Sequence, residues 1–244
     1  MSHYQLQARE LSFTYPDGHR ALQAVSFGIG QGESVGIIGS NGAGKSTLLL
    51  HLNGVLRATA GEVRVQDVLV TAATVAEVRH AVGMVFQDPD DQLFMPTVFD
   101  DVAFGPINMS LPTHEVQSRV EAALARVGAS HLATRPPYRL SGGEKRAVAI
   151  AGVLAMEPSI LVMDEPSDGL DPAARRRLIN LLKGFDQTKI IATHDLDLVL
   201  DICSRVLVMH HGHLEADGTP DLIFSDSALL ARCHLELPLS RQRL

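Results

Sequence analysis

The sequence predicts an α/β fold in which short strands alternate with helices. The apolar runs SVGIIG, ILVMD and KIIAT fit strands buried on both faces, and each leads into a polar or glycine-rich segment. The segment KSTLLLHLNGVL, which follows the first of them, has the spacing of a helix. The segments YQLQARELSFTYPDG and GEVRVQDVLV instead alternate apolar and polar residues, which indicates antiparallel strands beside this core.

A helical segment interrupts the strand pattern in the middle of the chain. Strand patterns give way to helical ones from residue 88 to about residue 156 and then return. We therefore predict four parts, which are an α/β core (1–87 and 157–222), an antiparallel β subdomain within it (near 1–35 and 60–75), an inserted helical subdomain (88–156) and a short C-terminal tail (223–244).

Composition excludes several classes of protein. The chain has 244 residues, 45% of them hydrophobic, and a formal net charge of −7, which argues against nucleic-acid binding through basic surfaces. No apolar run approaches the about 20 residues that span a bilayer, and the N-terminal segment has no apolar signal core. The two cysteines, Cys203 and Cys233, form no disulfide framework, so we expect a reducing cytosol.

The segment GSNGAGKST matches the phosphate-binding pattern G-x-x-x-x-G-K-[ST] at residues 39–46. Its glycines let the backbone approach a phosphate closely, Lys45 would reach the β- and γ-phosphates, and Ser46 would bind Mg²⁺. A flexible turn that happens to contain a lysine is the alternative, but the strand before the loop and the helix after it favour a nucleotide site. The predicted binding residues are Gly39, Ser40, Asn41, Gly42, Ala43, Gly44, Lys45, Ser46 and Thr47.

Polar residues at other strand ends complement this loop. Asp164 ends ILVMD at the edge where α/β folds bind ligands and is a candidate Mg²⁺ ligand, and Glu165 follows as a candidate to polarise a water. The two carboxylates could instead cap a helix or form ion pairs. His194 could bond the γ-phosphate or the attacking water, and Gln87 could contact Mg²⁺, although each would be uninformative alone.

Two further features are ambiguous. Tyr15, at the end of the first strand, is predicted to stack on a base, with packing at the strand end as the alternative. In MHHGH, His210 and His211 would point to opposite faces of a strand and could not easily bind one ion, and the glycine indicates a hairpin turn.

A second glycine loop, LSGGEKRA, opens onto the helical segment AVAIAGVLAM. Glycines before a helix form a nest of N–H groups suited to an anion, but this loop has no lysine at the phosphate-binding position. Together with ILVMDEP, SDGLD and THD, it resembles the ATPase subunits of ABC transporters, and the resemblance extends over residues 15–218. It implies an ABC-type P-loop NTPase core with an antiparallel β subdomain and an inserted α-helical subdomain.

The resemblance also implies how the residues work. ATP and Mg²⁺ would lie between two subunits packed head to tail, in a homodimer or in a heterodimer with a related ATPase. Each nucleotide would contact one subunit's lysine loop and the other's second loop. Glu165 would be the catalytic base, His194 the γ-phosphate switch, and Gln87 the Mg²⁺-linked sensor, while Asp171 would cross the dimer interface. The second loop would contribute Ser141, Gly142, Gly143 and Glu144.

The segment VFQDPDDQLFMPTVFDDVAFGPINM is similar to the energy-coupling factor branch of the family, and within it to the cobalt and nickel ATPases. Transmembrane energy-coupling and substrate-binding subunits would then dock between Gln87 and Met109, and Asp100 and Asp101 could meet basic residues there. The resemblance implies a peripheral protein on the cytoplasmic face of the cell membrane that powers import of Co²⁺ or Ni²⁺. A vitamin is the alternative cargo, and a soluble ABC ATPase of the DNA-repair type is a more distant alternative.

One departure from the family pattern affects the loop after the catalytic carboxylate. An uncharged residue is more familiar at the position of Asp168. The sequence therefore does not predict the detailed geometry of this loop.

Overall fold

The computed structural model describes residues 4–242 as two β-sheets with helices packed around them. The strands are β1 (Leu6–Thr14), β2 (Arg20–Ile29), β3 (Ser34–Ile38), β4 (Ala60–Val65), β5 (Val68–Leu69), β6 (Val82–Val85), β7 (Ile160–Asp164), β8 (Thr188–Ala192), β9 (Arg205–His210) and β10 (His213–Gly218). The helices are α1 (Lys45–Leu52), α2 (Val75–Ala81), α3 (Val98–Asn108), α4 (Thr113–Arg126), α5 (Gly142–Leu154), α6 (Pro172–Lys183), α7 (Leu196–Ile202), α8 (Pro220–Ser225) and α9 (Ser227–Arg232).

The smaller sheet is antiparallel and has the strand order β2-β1-β4-β5. Its apolar side chains, among them Leu6, Ala8 and Leu11 of β1, lie in an apolar cluster with α1 and one face of the larger sheet. The alternating pattern that predicted antiparallel strands is thus confirmed, because one face of this sheet packs on the core.

The larger sheet has the order β10-β9-β3-β8-β7-β6, with β10 antiparallel and the others parallel. Both of its faces are buried. In β7, Ile160 and Val162 belong to the apolar cluster under the antiparallel sheet, whereas Leu161 and Met163 belong to the cluster on the opposite face. This two-sided burial is the reason for the continuous apolar runs in the sequence.

The strand order positions the polar segments. The strands β3, β8, β7 and β6 are direct neighbours, so the segments that leave their carboxyl ends lie side by side. These segments are the lysine-containing glycine loop, Thr193 with His194, Glu165, and Phe86 with Gln87.

The helices α3, α4 and α5 pack on one another and share an apolar cluster with one face of the larger sheet. The buried residues of α4 are Val116, Val120, Ala123 and Leu124, which recur at the spacing of one helical face. The connection to the sheet includes a buried charge. Arg146 of α5 is only 4% exposed, and its guanidinium donates to the carbonyl oxygens of Phe86 at 2.8 Å and Gln87 at 2.7 Å.

Several boundaries differ from the sequence predictions. The strand expected to end at Gln87 ends at Val85, and the segment just before it forms α2. The helices α8 and α9 occupy residues around the expected start of the C-terminal tail. Among residues 4–242, no helix combines the length and the apolar character needed to cross a membrane.

The histidine-rich segment forms the predicted hairpin between β9 and β10. The expectation that His210 and His211 point apart is wrong, since their ring centroids are 4.1 Å apart. His211 lies in the turn with φ of 47°, outside the extended conformation on which that expectation rested.

Replacement of Arg146 tests its contribution to stability. Arg146→Met keeps the apolar stem but removes two charge-assisted hydrogen bonds, so the free energy of unfolding should fall by about 2 kcal/mol. Urea denaturation of the purified protein measures this change. Arg176→Met is the matched control, because Arg176 is an exposed residue paired with Asp201 at 3.5 Å, and it should change stability by less than about 0.5 kcal/mol. Equal stability of the two variants would contradict the assignment.

Candidate functional site

A cleft of 520 Å³ opens at the carboxyl edge of the larger sheet. It is lined by His19, Ala21, Asn41, Gly42, Gly44, Lys45, Ser46, Thr47, Gln87, Glu165, Asp168 and His194. The fold therefore brings together candidates from four strand ends that are up to about 150 residues apart in the sequence. The glycine loop follows β3, Gln87 follows β6, Glu165 follows β7 and His194 follows β8.

The glycine loop fits closely against two neighbouring strands. A Cβ on Gly39 would lie 2.3 Å from the carbonyl oxygen of Met209 in β9. Gly44 has φ of 102°, and a Cβ there would lie 2.5 Å from the carbonyl oxygen of Ala21 in β2. Only glycine fits these two positions, so the path of the loop depends on contacts with the sheets as well as on its own sequence.

Lys45 is the first residue of α1 and is 7% exposed. Its Nζ donates to the carbonyl oxygen of Gly39 at 2.8 Å, which holds the ammonium group over the loop. The ammonium has three donors, and it stands beside the positive end of a helix. This arrangement suits a phosphate group. Within the loop, the backbone N–H of Ala43 donates to the carbonyl oxygen of Ser40. Ala43 itself is buried.

Asp164, at the end of β7, is 6% exposed, and its Oδ1 has no hydrogen-bond partner among the described residues. Burial raises the pKa of this carboxyl, and the neighbouring Glu165 acts in the same direction, while a hydrogen bond from Ser46 and the charge of Lys45 oppose the shift. A buried carboxylate oxygen beside a serine hydroxyl is a donor set that suits a hard divalent cation. Of the three residues predicted to hold Mg²⁺, Ser46 and Asp164 therefore fit such an ion, and Gln87 lines the same cleft as Ser46.

Glu165 adopts a left-handed backbone conformation with φ of 43°, a strained geometry for a non-glycine residue. Its Oε2 accepts hydrogen bonds from the hydroxyl of Thr193 at 2.9 Å and the backbone N–H of His194 at 3.1 Å. The Nδ1 of His194 lies 2.9 Å from the same oxygen. Glu165 and His194 are thus joined by direct contacts, and both line the cleft.

Tyr15 lies just behind the cleft wall. Its hydroxyl is 3.1 Å from Oγ1 of Thr47, and its ring stacks on His19 with centroids 6.3 Å apart. His19, and not Tyr15, is among the residues that line the described cleft. Sequence reasoning missed His19, although its position directly after the Pro-Asp-Gly turn that follows Tyr15 was a usable signal.

The second glycine loop begins α5 and lies outside this cleft. Ser141 is the N-cap of α5, and it forms a capping box with Glu144. The backbone N–H and the hydroxyl of Ser141 donate to Oε2 of Glu144 at 2.8 Å and 2.7 Å, and these two bonds lower the pKa of that carboxyl. Glu144 therefore caps the helix, while Gly142 and Gly143 leave the backbone of the loop open.

Two further residues occupy the loop between β7 and α6. Asp171 caps α6 by accepting a hydrogen bond from the backbone N–H of Ala174 at 2.8 Å, and it is exposed. Asp168 accepts a hydrogen bond from Nε2 of Gln87 at 3.3 Å. The comparison with the family pattern identified Asp168 as an unusual residue at its position, but it predicted no contact between Asp168 and the site.

The chain is similar in sequence to ATP-binding proteins of ABC transporters. The ABC transporter family model matches residues 22–168. A protein of Geobacter sulfurreducens, provisionally described as an ABC transporter ATP-binding protein, is 60% identical over 242 residues, which cover 99% of this chain and 97% of that protein. The energy-coupling factor transporter ATP-binding protein EcfA of Methanocaldococcus jannaschii is 47% identical over 240 residues, or 96% of this chain and 86% of that protein.

Solved structures are similar over nearly the whole chain. The structure of cbiO1 from Clostridium perfringens, part of the ABC transporter complex cbiONQ, has a TM-score of 0.83 and 41% identity and covers 97% of this chain and 96% of that chain. The ATP-binding cassette MJ0796, in a dimeric post-hydrolysis state bound to ADP and Pi, has a TM-score of 0.79 and 27% identity and covers 88% of this chain and 98% of that chain.

The raised pKa of Asp164 predicts a stability effect. A carboxyl with a higher pKa in the folded state loses stability as the pH rises through that range, so Asp164→Asn should raise the Tm of the nucleotide-free protein at neutral pH by about 2–4 °C. The gain should shrink as the pH falls toward about 3, below the ordinary pKa of aspartate, where the acid is mostly neutral in both states. Thermal unfolding across this pH range tests the prediction. Asp91→Asn, which changes an exposed carboxylate, is the control and should have no such pH-dependent gain.

The glycine loop, the paired carboxylates and the second loop occupy positions in a fold that is shared with ATP-binding cassettes of known structure. Sequence similarity over almost the entire chain leads to the same group of proteins. The chain therefore belongs to the ABC transporter family, as an ATP-hydrolysing subunit of the energy-coupling factor type.

Proposed function

We propose that this chain powers import by closing on ATP as a dimer and reopening after hydrolysis, in a cycle coupled to transmembrane subunits. The observation that supports the proposal most directly is that the cleft of one chain lacks the second glycine loop. One chain supplies Lys45 and Glu165 to it, but the loop beginning at Ser141 lies outside.

A second copy would complete the site. In a head-to-tail dimer, the loop of residues 141–143 would approach the γ-phosphate from the side opposite Lys45. That loop needs no lysine, because Lys45 and Mg²⁺ already neutralise part of the phosphate charge. One self-complementary interface would form two such sites at once. The dimeric state of MJ0796 with ADP and Pi supports this arrangement.

The chemistry requires an activated water and stabilisation of the phosphate charge. We propose that Glu165 accepts the proton of the attacking water and that His194, held against Glu165, contacts the γ-phosphate. Mg²⁺ would neutralise charge on the β- and γ-phosphates. Ser46, Gln87 and Asp164 would hold it through oxygen atoms.

An apolar groove where the helical segment meets α2 and β6 is the docking surface in this proposal. The groove has a volume of 620 Å³, and its lining includes Phe94, Phe104, Met109 and Met156. Phe94 and Phe104 are 62% and 44% exposed and lie edge to face with ring centroids 5.0 Å apart. Exposed aromatic and methionine side chains of this kind are typical of protein interfaces.

The two acidic residues predicted to meet a partner have different environments. Asp100 accepts a hydrogen bond from the hydroxyl of Thr97 at 2.6 Å and supports the N-terminus of α3. Asp101, unlike Asp100, lines the groove. Its Oδ1 accepts hydrogen bonds from the backbone N–H groups of Phe94 and Met95, each at 2.9 Å. Burial raises the pKa of Asp101, and its Oδ2 has no partner among the described residues. A basic side chain of a membrane subunit would thus pair with Asp101 rather than with Asp100.

We propose that the chain is a peripheral subunit at the cytoplasmic face of the membrane, and docking of transmembrane subunits in this groove would hold it there. We propose Co²⁺ or Ni²⁺ as the cargo, supported by the resemblance of residues 85–109 to cobalt and nickel ATPases and by the fold similarity to cbiO1. A vitamin is the second candidate. Uptake of labelled Co²⁺, Ni²⁺ and vitamins in cells with and without this chain distinguishes the two.

A shared site predicts complementation between two inactive variants. Lys45→Ala should abolish ATP binding by its own cleft, and Ser141→Arg should block the second loop. A mixture of equal amounts should recover up to about a quarter of the wild-type ATPase rate, because half the dimers are mixed and each contains one intact site. The absence of any recovery would argue against the shared site, or show that both sites must work together.

Glu165→Gln provides a separate measure of dimer formation. The variant should bind ATP but hydrolyse it about 10²–10⁴-fold more slowly, and it should elute as a dimer in ATP and as a monomer without it. A variant that stays monomeric at saturating ATP would contradict the proposal.

Changes in the groove should separate docking from hydrolysis. The double variant Phe94→Ser, Phe104→Ser should lose association with membranes that contain the transporter, because it removes the two exposed rings. The ATPase rate of the isolated chain should stay within about twofold of wild type, since neither ring lines the cleft. Tyr138→Ser is the control, because Tyr138 is 75% exposed but lies outside the groove. Loss of binding by the control as well would indicate a different docking surface.

A further inference from the structure

The loop after Glu165 contacts the loop that contains Gln87. Nε2 of Gln87 donates to Oδ2 of Asp168 at 3.3 Å, and both residues line the nucleotide cleft. This bond joins two segments that are 81 residues apart in the sequence. Asp168 forms a turn of its own, in which its backbone N–H donates to the carbonyl oxygen of Glu165 at 3.1 Å. The position of Asp168 is therefore tied directly to that of the catalytic carboxylate.

The backbone of Gln87 is held independently of its side chain. Arg146 donates to the carbonyl oxygens of Phe86 and Gln87 from a buried position in α5. Burial lowers the pKa of Arg146. The negative charges of Asp168 and Asp88 oppose that shift, so both carboxylates interact electrostatically with the guanidinium. With its backbone anchored in this way, Gln87 retains only side-chain rotations, and the remaining variable is the orientation of its terminal amide.

Hydrogen-bond chemistry decides that orientation. A glutamine amide has an acceptor face, Oε1, and a donor face, Nε2, whereas an ionised carboxylate only accepts. Asp168 therefore selects the orientation in which Nε2 faces it. Oε1 then remains as the amide atom available to a cation, which binds oxygen and not an N–H group. A serine at this position could both donate and accept, so it would not select one orientation.

We propose that Asp168 is a positioning residue that fixes the side-chain amide of Gln87 so that Oε1 is presented to the Mg²⁺ of the nucleotide site. The inference rests on the proposed role of Gln87 in holding that ion. The contact is exposed, so its effect is modest, and loss of the selection should weaken metal binding by about three- to tenfold.

The first test needs neither metal nor nucleotide. In ¹⁵N-labelled full-length protein, the side-chain NH₂ resonances of Gln87 are assigned by their loss in Gln87→Ala. Asp168→Asn should shift these resonances, because it removes the charged acceptor. Asp88→Asn is the matched control, because it removes an equal charge from the residue next to Gln87, and that charge also interacts with Arg146. This variant should leave the Gln87 side-chain resonances nearly unchanged.

The second test measures metal affinity by electron paramagnetic resonance of Mn²⁺ with a non-hydrolysable ATP analogue. Asp168→Asn and Asp168→Ala should each raise the dissociation constant for Mn²⁺ by about three- to tenfold. Asp88→Asn should change it by less than about twofold. Binding of the analogue without metal should be the same in all variants, because Asp168 acts on the ion through Gln87.

A double-mutant cycle separates positioning from direct contact. Gln87→Ala should weaken Mn²⁺ binding, and Asp168→Asn should add nothing in the Gln87→Ala background, because a residue that acts only through Gln87 has no effect once that amide is gone. Equal weakening by Asp168→Asn in both backgrounds would overturn the inference and assign Asp168 directly to the ion.

The remaining outcomes are also decisive. If Gln87→Ala weakens Mn²⁺ binding but Asp168→Asn does not, the inference fails while the proposed metal site stands. If Gln87→Ala has no effect, the proposed metal role of Gln87 fails, and the inference fails with it. Unchanged amide resonances in Asp168→Asn would show that the hydrogen bond does not form in solution.

Discussion

Burial of the larger sheet on both faces is the constraint on which the rest of the structure depends. The antiparallel sheet and α1 cover one face, and the helical segment with α6 and α7 covers the other. Polar residues of the central strands therefore have access to water and ligands only at the strand ends. Asp164, Glu165 and His194 lie at or just beyond such ends. The nucleotide cleft is a consequence of how this core is covered.

The helix α5 connects three parts of the molecule. Its N-terminus is the second glycine loop, which Ser141 and Glu144 cap. One turn further on, Arg146 holds the backbone at Gln87. Further along the chain, Gly152 of α5 and Met156, which follows the end of α5, contribute to the apolar groove. A displacement of α5 by a partner in the groove would therefore reach both the second loop and Gln87, because a helix moves as a rigid element.

Polar contacts hold α5 to the segment that follows β6. The buried Arg146 donates to the carbonyl oxygens of Phe86 and Gln87, just after β6, and Lys145 pairs with the exposed Asp90 at 2.6 Å. Gln92 adds a bond of 2.8 Å from its Nε2 to the carbonyl oxygen of Ala149. All three contacts join α5 to the segment after β6. Hydrogen bonds have narrower geometric limits than apolar packing, so these contacts give the Gln87 segment a defined position relative to α5.

The sequence by itself determined the candidate site residues and the helices and strands that bear them. The lysine-containing loop, the strand ILVMD and the carboxylates at its end follow from local patterns, because steric preference and hydrophobic periodicity act between near neighbours in the chain. Only the tertiary structure decided which of these elements meet. The order β3-β8-β7-β6 differs from the order along the chain. Local sequence patterns therefore could not predict the contact between Gln87 and Asp168 or the position of His19 in the cleft wall. Crossover connections between parallel strands leave the strand order open, and packing of the whole chain selects it.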